Sequence, residues 1–173
     1  LPPSLGALQP GDSLLVQSQA TGFLTLDELP PGRDLWLLST GTAIGPFLAM
    51  LAEGEVFERF ENLVLVHGVR KGEELTYQGL ITSLVEQYGH RFHYVPFVSR
   101  EPWPDALPGR IPAAIASGEL QARVGLAFSA EHSQVMICGN PAMVKETQQT
   151  LLELGLAKNL RRAPGNISME NYW

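Results

Sequence analysis

Four runs of strand length constrain the fold of this chain more than any other feature, and they occupy residues 35–39, 63–67, 92–98 and 134–138. Strands become continuous apolar runs when helices cover both faces of their sheet. Helical patterns alternate with these runs, at residues 46–53, 73–88, 111–117 and 143–154. We therefore predict an α/β fold, with a doubly wound, mostly parallel, five-stranded Rossmann-like sheet flanked by helices.

The first 29 residues do not share this alternation. They are rich in proline and glycine, and short strands are predicted at residues 13–17 and 23–26. Two strands alone cannot bury a core, so residues 1–29 are interpreted as the end of a larger unit and residues 30–173 as a domain. The chain begins with Leu1 rather than Met, which favours a fragment or a processed product.

Composition excludes several classes of function. The formal net charge is −6 and the isoelectric point about 5.2, which argues against a general nucleic-acid surface. No apolar run approaches the roughly 20 residues that a membrane-spanning helix needs. Four histidines and one cysteine are scattered without metal-ligand spacing, so we predict no metal site. The single Cys138 cannot form an internal disulfide, which favours a reducing cytoplasm.

The first strand is followed by a glycine-containing loop. Ligands of doubly wound sheets bind beyond the carboxyl ends of the strands, so the residues after each strand indicate function. The loop contains Thr40, Gly41, Thr42, Gly45 and Pro46, and the helix behind it offers free backbone N–H groups to an anion. The glycines stand four residues apart, unlike the usual dinucleotide motif. An ordinary strand-to-helix turn is an equally good interpretation.

Arginines follow the second and third strands. Arg70 comes after the second strand, Ser99 and Arg100 come after the third, and Arg110 lies shortly downstream. A guanidinium group suits phosphate because its donors form a planar fork. Each arginine alone could be a solvated surface charge. Three together in an acidic protein favour a site for the 2′-phosphate of NADP.

The end of the fourth strand and the end of the chain give further candidates. Cys138 is followed by Gly139, Asn140 and Pro141, and its side chain could be a small buried residue or could face a reactive ring. The terminal aromatic residues Tyr172 and Trp173 could stack on a flat cofactor or pack on the protein surface. The residue pattern leaves both alternatives open.

Taken together, these motifs resemble the ferredoxin–NADP reductase family, especially its bacterial flavodoxin/ferredoxin branch. The resemblance covers the whole chain. It rests on the loop 40–46, the segment 98–101 with Arg70 and Arg110, the segment 138–141 and the terminal segment 170–173. Residues 10–26 resemble the last strands of the flavin-binding barrel of that family.

The resemblance implies where NADPH binds. Its 2′-phosphate is expected on a set of four residues, namely Arg70, Ser99, Arg100 and Arg110. The pyrophosphate and nicotinamide are expected along the loop 40–46 and the segment 139–141, with the nicotinamide beside Thr42 and Cys138.

The resemblance also implies a role for the chain terminus. Tyr172 would cover the flavin face that the nicotinamide must reach, and Trp173 would lie against the adenine end of FAD. Glu170 would lie near the flavin edge as a candidate for proton handling. Cys138, Glu170 and Tyr172 are therefore the expected catalytic residues, and the flavin carries the redox chemistry.

The expected activity is hydride transfer between NADPH and FAD, followed by one-electron transfer to ferredoxin or flavodoxin by a cytoplasmic monomer. The chain departs from the family in one respect: it has no R-x-Y-S/T motif, with which the family binds FAD. The isolated chain is therefore expected to hold FAD weakly, because most of the barrel is missing. Three alternatives remain: an NADP-binding module without turnover, the reductase component of an oxygenase system, and a domain used for protein contacts.

Overall fold

The computed structural model describes residues 6–16, 18, 22 and 24–171. Its centre is a parallel sheet with the strand order β4-β3-β2-β1-β5-β6. The strands are β1 Asp34–Thr40, β2 Asn62–Val69, β3 Phe92–Val98, β4 Leu107–Pro108, β5 Ser133–Gly139 and β6 Ile167–Asn171. The α/β prediction is confirmed, but the described residues form six strands rather than five.

Helices connect the strands and cover both faces of the sheet. They are α1 Gly45–Glu53, α2 Val56–Arg59, α3 Gln78–Tyr88, α4 Ile111–Ser117, α5 Glu119–Val124 and α6 Pro141–Glu153. Short 3₁₀ turns occupy Leu26–Glu28, Gly41–Ile44, Gly72–Glu74 and Gly89–Arg91. The predicted helices at 46–53, 111–117 and 143–154 are each found, the last beginning two residues earlier than expected.

Two apolar layers form the core, one on each face of the sheet. Successive side chains of a strand point to opposite faces, so Leu35 and Leu37 of β1 enter one layer while Trp36 and Leu38 enter the other. The first layer includes side chains of α1 and α3, and the second includes side chains of α4 and α6. Because β1 is buried on both faces, its central residues Leu35–Leu38 form an unbroken apolar run.

The helix predicted from residue 73 begins later than expected. Tyr77 has a left-handed backbone (φ 61°), and α3 starts after it at Gln78. The residues Gly72–Glu74 instead form a separate 3₁₀ turn. The Glu74 carboxylate accepts the backbone N–H groups of Arg70 and Lys71, at 2.8 and 3.0 Å, and so holds this turn against the end of β2.

The two strands predicted near the start are wrong for the described residues. Residues 13–16 belong to no strand, and Leu15 is fully exposed. A strand needs a hydrogen-bonded neighbour, and these residues have none among the described pairings. The turn Leu26–Glu28 replaces the second strand, since the Arg59 guanidinium binds the carbonyl oxygens of Leu26 and Leu29 at 2.7 and 3.0 Å.

Strand β6 lies near the end of the chain, where the sequence analysis located no strand. It pairs with β5 in parallel, and Asn166 directs it there. The Asn166 amide group donates to the carbonyl oxygens of Ala130 and Ser133 and accepts the N–H of Ala157. The tail thus returns to the sheet and places Glu170 opposite Cys138.

Candidate functional site

The carboxyl ends of the parallel strands meet along one rim of the sheet. Thr40, Val69 and Val98 end three neighbouring strands, β1, β2 and β3. On the other side of β1, Gly139 and Asn171 end β5 and β6. Fourteen of the sixteen predicted site residues lie on this rim or in the loops that leave it, and the other two, Tyr172 and Trp173, lie outside the described residues.

The ends of β1 and β5 are joined by a hydrogen bond between a side chain and the backbone. The Thr40 hydroxyl oxygen accepts the N–H of Asn140 at 3.0 Å. Gly139 has a φ of 145°, and a Cβ at this position would collide with that same hydroxyl oxygen. Only glycine therefore allows the two strand ends to approach this closely.

A histidine that the sequence analysis did not identify as a site residue supports the loop after β1. Gly41 has a left-handed φ of 57°, and its carbonyl oxygen accepts the Nε2–H of His67 at 3.0 Å. The 3₁₀ turn Gly41–Ile44 follows, with Thr42 exposed at the rim. Helix α1 continues directly from this turn at Gly45 and has no side-chain cap, but the N–H of Gly45 donates to the carbonyl oxygen of Thr42 and Pro46 has no N–H.

The side chain of His67 is buried completely. Burial lowers its pKa, and the hydrogen bond to Gly41 opposes this only in part. The imidazole is therefore neutral at pH 7, with its proton on Nε2 because a carbonyl oxygen can only accept. Its Nδ1 has no partner among the described residues. The sequence signal that could have identified His67 is its position as a polar residue at the end of an apolar strand run.

Arg70 and Arg100 are brought together by their backbones. The N–H of Arg100 donates to the carbonyl oxygen of Arg70 at 2.9 Å, and the N–H of Ser99 donates to that of Val69 at 3.1 Å. The Ser99 hydroxyl also donates to Val69, at a longer 3.2 Å. All three predicted side chains, those of Arg70, Ser99 and Arg100, are exposed at this edge of the rim.

Arg110 reaches the same edge by way of β4. Pro108, the last residue of β4, pairs with Val98, the last residue of β3. Arg110 therefore comes two residues after the end of β4, and Arg100 comes two residues after the end of β3. Its guanidinium group lies 3.2 Å from a carboxylate oxygen of Glu146 on α6. Arg70 is likewise paired, with Glu74 at 2.9 Å. Exposed pairs of this kind are worth at most about 1 kcal/mol, so a phosphate group can displace them.

Cys138 is a buried thiol rather than a thiolate. Its side chain is 1% exposed, and burial together with the nearby Glu170 carboxylate raises its pKa to about 11. A thiol with this pKa carries almost no negative charge at pH 7.

Asn140 and Pro141 begin helix α6. The Asn140 side-chain oxygen accepts the N–H groups of Ala142 and Met143, at 3.0 and 3.4 Å, and Pro141 fills a position where no N–H is needed. The side-chain oxygen of Asn140 is therefore committed to the helix cap. Glu170, in contrast, is exposed on β6.

Two shallow depressions lie away from this rim. One of about 440 Å³ is lined by residues including Glu55, Phe57 and Tyr88, and one of about 330 Å³ by residues including His93 and Arg123. Neither contains a predicted site residue. Across the described ranges there is no cluster of three metal-ligating side chains, and none of their helices is long and apolar enough to span a membrane.

Comparisons with known proteins identify the family. Residues 37–149 match the family described as the oxidoreductase NAD-binding domain. The flavodoxin/ferredoxin–NADP reductase of Escherichia coli strain K12 is 49% identical over the whole chain, which spans 70% of that protein. The chain belongs to the ferredoxin–NADP reductase family. Membership makes it an oxidoreductase, and it confirms the resemblance stated from the motifs.

More distant members of the ferredoxin–NADP reductase family agree. The ferredoxin–NADP reductase of Pseudomonas aeruginosa is 38% identical over 94% of this chain and 66% of its own length. A crystal structure of a ferredoxin NADP+ reductase from Neisseria gonorrhoeae with bound FAD and NADP superposes with a TM-score of 0.91. That match is 39% identical and covers 98% of this chain and 68% of the other.

Proposed function

We propose that this rim binds NADP and that the chain is the NADP-binding part of a ferredoxin/flavodoxin–NADP reductase. The observation that carries the proposal is the pairing of Arg70 and Arg100 through their backbones beside Ser99. Two guanidinium groups at one edge of an acidic protein suit a dianionic phosphate. Such a site distinguishes NADP from NAD, because the two differ only in the 2′-phosphate.

The residues at this edge fit the phosphate in different ways. Arg100 has no salt bridge among the described residues, so its guanidinium group can bind phosphate directly. Arg70 and Arg110 would each release a carboxylate partner, Glu74 and Glu146 respectively, when they bind the phosphate. The Ser99 hydroxyl can give up its long bond to Val69 and donate to a phosphate oxygen instead.

The centre of the rim suits the pyrophosphate and the nicotinamide. The start of α1 provides the positive end of its helix dipole to the pyrophosphate. We infer that the nicotinamide lies between Thr42 and Cys138. Since Cys138 is a neutral thiol, it gives the nicotinamide a small wall without charge.

A bound FAD supplies the redox chemistry, because it can take up a hydride and release electrons one at a time. On this chain the flavin would lie next to Cys138 and the exposed carboxylate of Glu170, which we propose holds or passes a proton. Tyr172 and Trp173 are proposed to cover the flavin. Residues 1–29 are proposed to be the end of the flavin-binding barrel, with residues 30–173 as the NADP-binding domain.

The electron acceptor is proposed to be ferredoxin or flavodoxin, as the names of the relatives state for those proteins. We also infer that the chain is a monomer and that it works in the cytoplasm, where the free thiol of Cys138 would stay reduced. An NADP-binding module without turnover is the second candidate. No R-x-Y-S/T motif for FAD occurs between Leu1 and Trp173.

Titration calorimetry with NADP+ and NAD+ tests the proposed function. We expect NADP+ to bind at least tenfold more tightly than NAD+. Equal affinities, or no binding of either nucleotide, would contradict the assignment. Adding FAD and measuring NADPH-dependent reduction of flavodoxin then separates the reductase from the module without turnover.

A further inference from the structure

Trp103 is a large exposed aromatic residue three positions after Arg100. Its exposed fraction is 43%, although one side of it packs tightly against Gly72. Neither the motifs nor the proposed function uses it. It lies in the loop between β3 and β4, at the edge of the rim that carries Arg70 and Arg100.

One face of the Trp103 indole lies on Gly72. A Cβ built on Gly72 would lie well under 3.0 Å from three adjacent indole atoms, Cδ2, Cε3 and Cε2. An approach to the ring edge could not bring all three so close, so Gly72 contacts the ring face. The exposure of 43% therefore comes from the opposite face and the ring edges.

Hydrogen bonds hold the Trp103 loop in place. The Glu101 carboxylate accepts the N–H of Gly72 at 2.8 Å and so ties this loop to the one after β2. The N–H of Ala106 donates to the carbonyl oxygen of Trp103 at 3.3 Å, and Arg123 donates to that of Asp105 at 3.0 Å. The indole is thus a preorganised flat surface rather than a freely rotating side chain.

We infer that the outer face of Trp103 stacks against the adenine base of the bound dinucleotide. The inference rests on the proposed 2′-phosphate site. The 2′-phosphate and the adenine are attached to the same ribose, so the base must lie within one sugar of the arginines. An aromatic face stacks on a nucleotide base without needing hydrogen bonds. Trp103 would therefore determine affinity for the base, while the arginines determine affinity for the phosphate.

Two variants remove the stacking surface in independent ways. Trp103→Leu keeps an apolar side chain but has no aromatic face, and Trp103→Phe restores one. Gly72→Ala keeps Trp103 and displaces it, because the added methyl group occupies the position of the ring. Leu154→Ala is the matched control, since Leu154 is an exposed apolar residue beyond the far end of α6.

Binding is measured by calorimetry with NADP+, NAD+, 2′,5′-ADP and inorganic pyrophosphate, which has no base. We expect Trp103→Leu and Gly72→Ala to weaken the three adenine ligands about tenfold, with the ratio of NADP+ to NAD+ affinity unchanged. Trp103→Phe should recover most of the loss. Pyrophosphate binding should stay the same, and 2′,5′-ADP should quench Trp103 fluorescence in the wild-type chain.

A Kd for 2′,5′-ADP within twofold of wild type in Trp103→Leu would overturn the inference. So would a change in flavodoxin affinity without a change in nucleotide affinity, because Trp103 would then serve partner docking. If either result is obtained and Arg100→Ala still removes the preference for NADP+, the inference about Trp103 fails but the proposed phosphate site stands. If the wild-type chain bound neither nucleotide, the inference and the proposed function would both fail.

Discussion

The N–H of Arg100 donates to the carbonyl oxygen of Arg70 at 2.9 Å, although the two residues are thirty positions apart. This bond continues the pairing of β2 and β3 one step past their ends, since Val69 pairs with Val98. Two positively charged side chains are thereby held at adjacent strand ends. An anion placed between them would bind both guanidinium groups.

Arg100→Ala should weaken binding of NADP+ far more than binding of NAD+. A hydrogen bond to a charged group is worth roughly 1.5–3 kcal/mol, which corresponds to about 10- to 150-fold in Kd. Calorimetric titration of both nucleotides measures the effect. Arg161→Ala, which removes an exposed arginine outside the rim, is the control and should change neither Kd. Equal losses for NADP+ and NAD+ would count against the phosphate site.

Glu146→Gln should strengthen NADP+ binding, because it frees Arg110 from the carboxylate 3.2 Å away. The pair is exposed, so the gain is at most about 1 kcal/mol, or about fivefold in Kd at low salt. Added salt should reduce the difference. The matched variant Glu153→Gln lies on the same helix and should leave the Kd unchanged. Weaker binding of NADP+ by Glu146→Gln would show that Arg110 does not serve the phosphate.

His67 should make the free energy of unfolding depend on pH. Burial lowers its folded pKa below the ordinary value of 6.5, so its neutral form stabilises the fold above about pH 6.5. As the pH falls from 6.5 toward the folded pKa, the unfolded state takes up a proton that the folded state excludes, and stability is lost. The slope from this group is at most about 1.4 kcal/mol per pH unit.

The variant His67→Gln isolates this contribution, because glutamine can still donate to Gly41 but does not titrate. Urea unfolding between pH 5 and pH 8 should show a smaller slope for the variant. His93 also has a pKa lowered by burial, and it contributes equally to both proteins. Identical slopes in both proteins would mean that His67 is not buried as a neutral imidazole.

Gly139→Ala should destabilise the fold and weaken nucleotide binding together. The added methyl group would collide with the Thr40 hydroxyl oxygen at a left-handed backbone position. Gly155→Ala is a matched control, since Gly155 has a φ of 89° but open space around its Cα. Backbone strain alone should lower the free energy of unfolding of this control by roughly 1–2 kcal/mol, as measured by urea unfolding. If both variants bound NADP+ as wild type does, the contact between Thr40 and Gly139 would have no role in binding.

Cys138 should resist alkylation in the folded chain. Its thiol is buried and its pKa is about 11, so little thiolate forms at pH 8. Iodoacetamide labelling followed by mass spectrometry should detect modification only after urea unfolding. Complete labelling of the native chain within minutes would mean that the rim is open at Cys138.

Local pattern was sufficient to predict the central strands. The strand Phe92–Val98 and the helix Ile111–Ser117 were predicted with their observed bounds, because their residues themselves form apolar runs or helical spacing. Strand β6 was missed because its residues Ile167–Asn171 are mostly exposed. It becomes a strand through pairing with β5 and through the bonds of Asn166, which no local pattern shows.

The candidate site was likewise predictable from the sequence only in part. The sequence alone determined that a parallel sheet exists and that glycines and arginines follow its strands, since chain order places such loops at one rim. Only the tertiary structure decided that Arg100 lies against Arg70, that His67 supports Gly41 and that Trp103 lies on Gly72. The physical reason is that these contacts join residues about 26 to 31 positions apart, and their geometry arises from strand pairing and packing rather than from neighbouring residues.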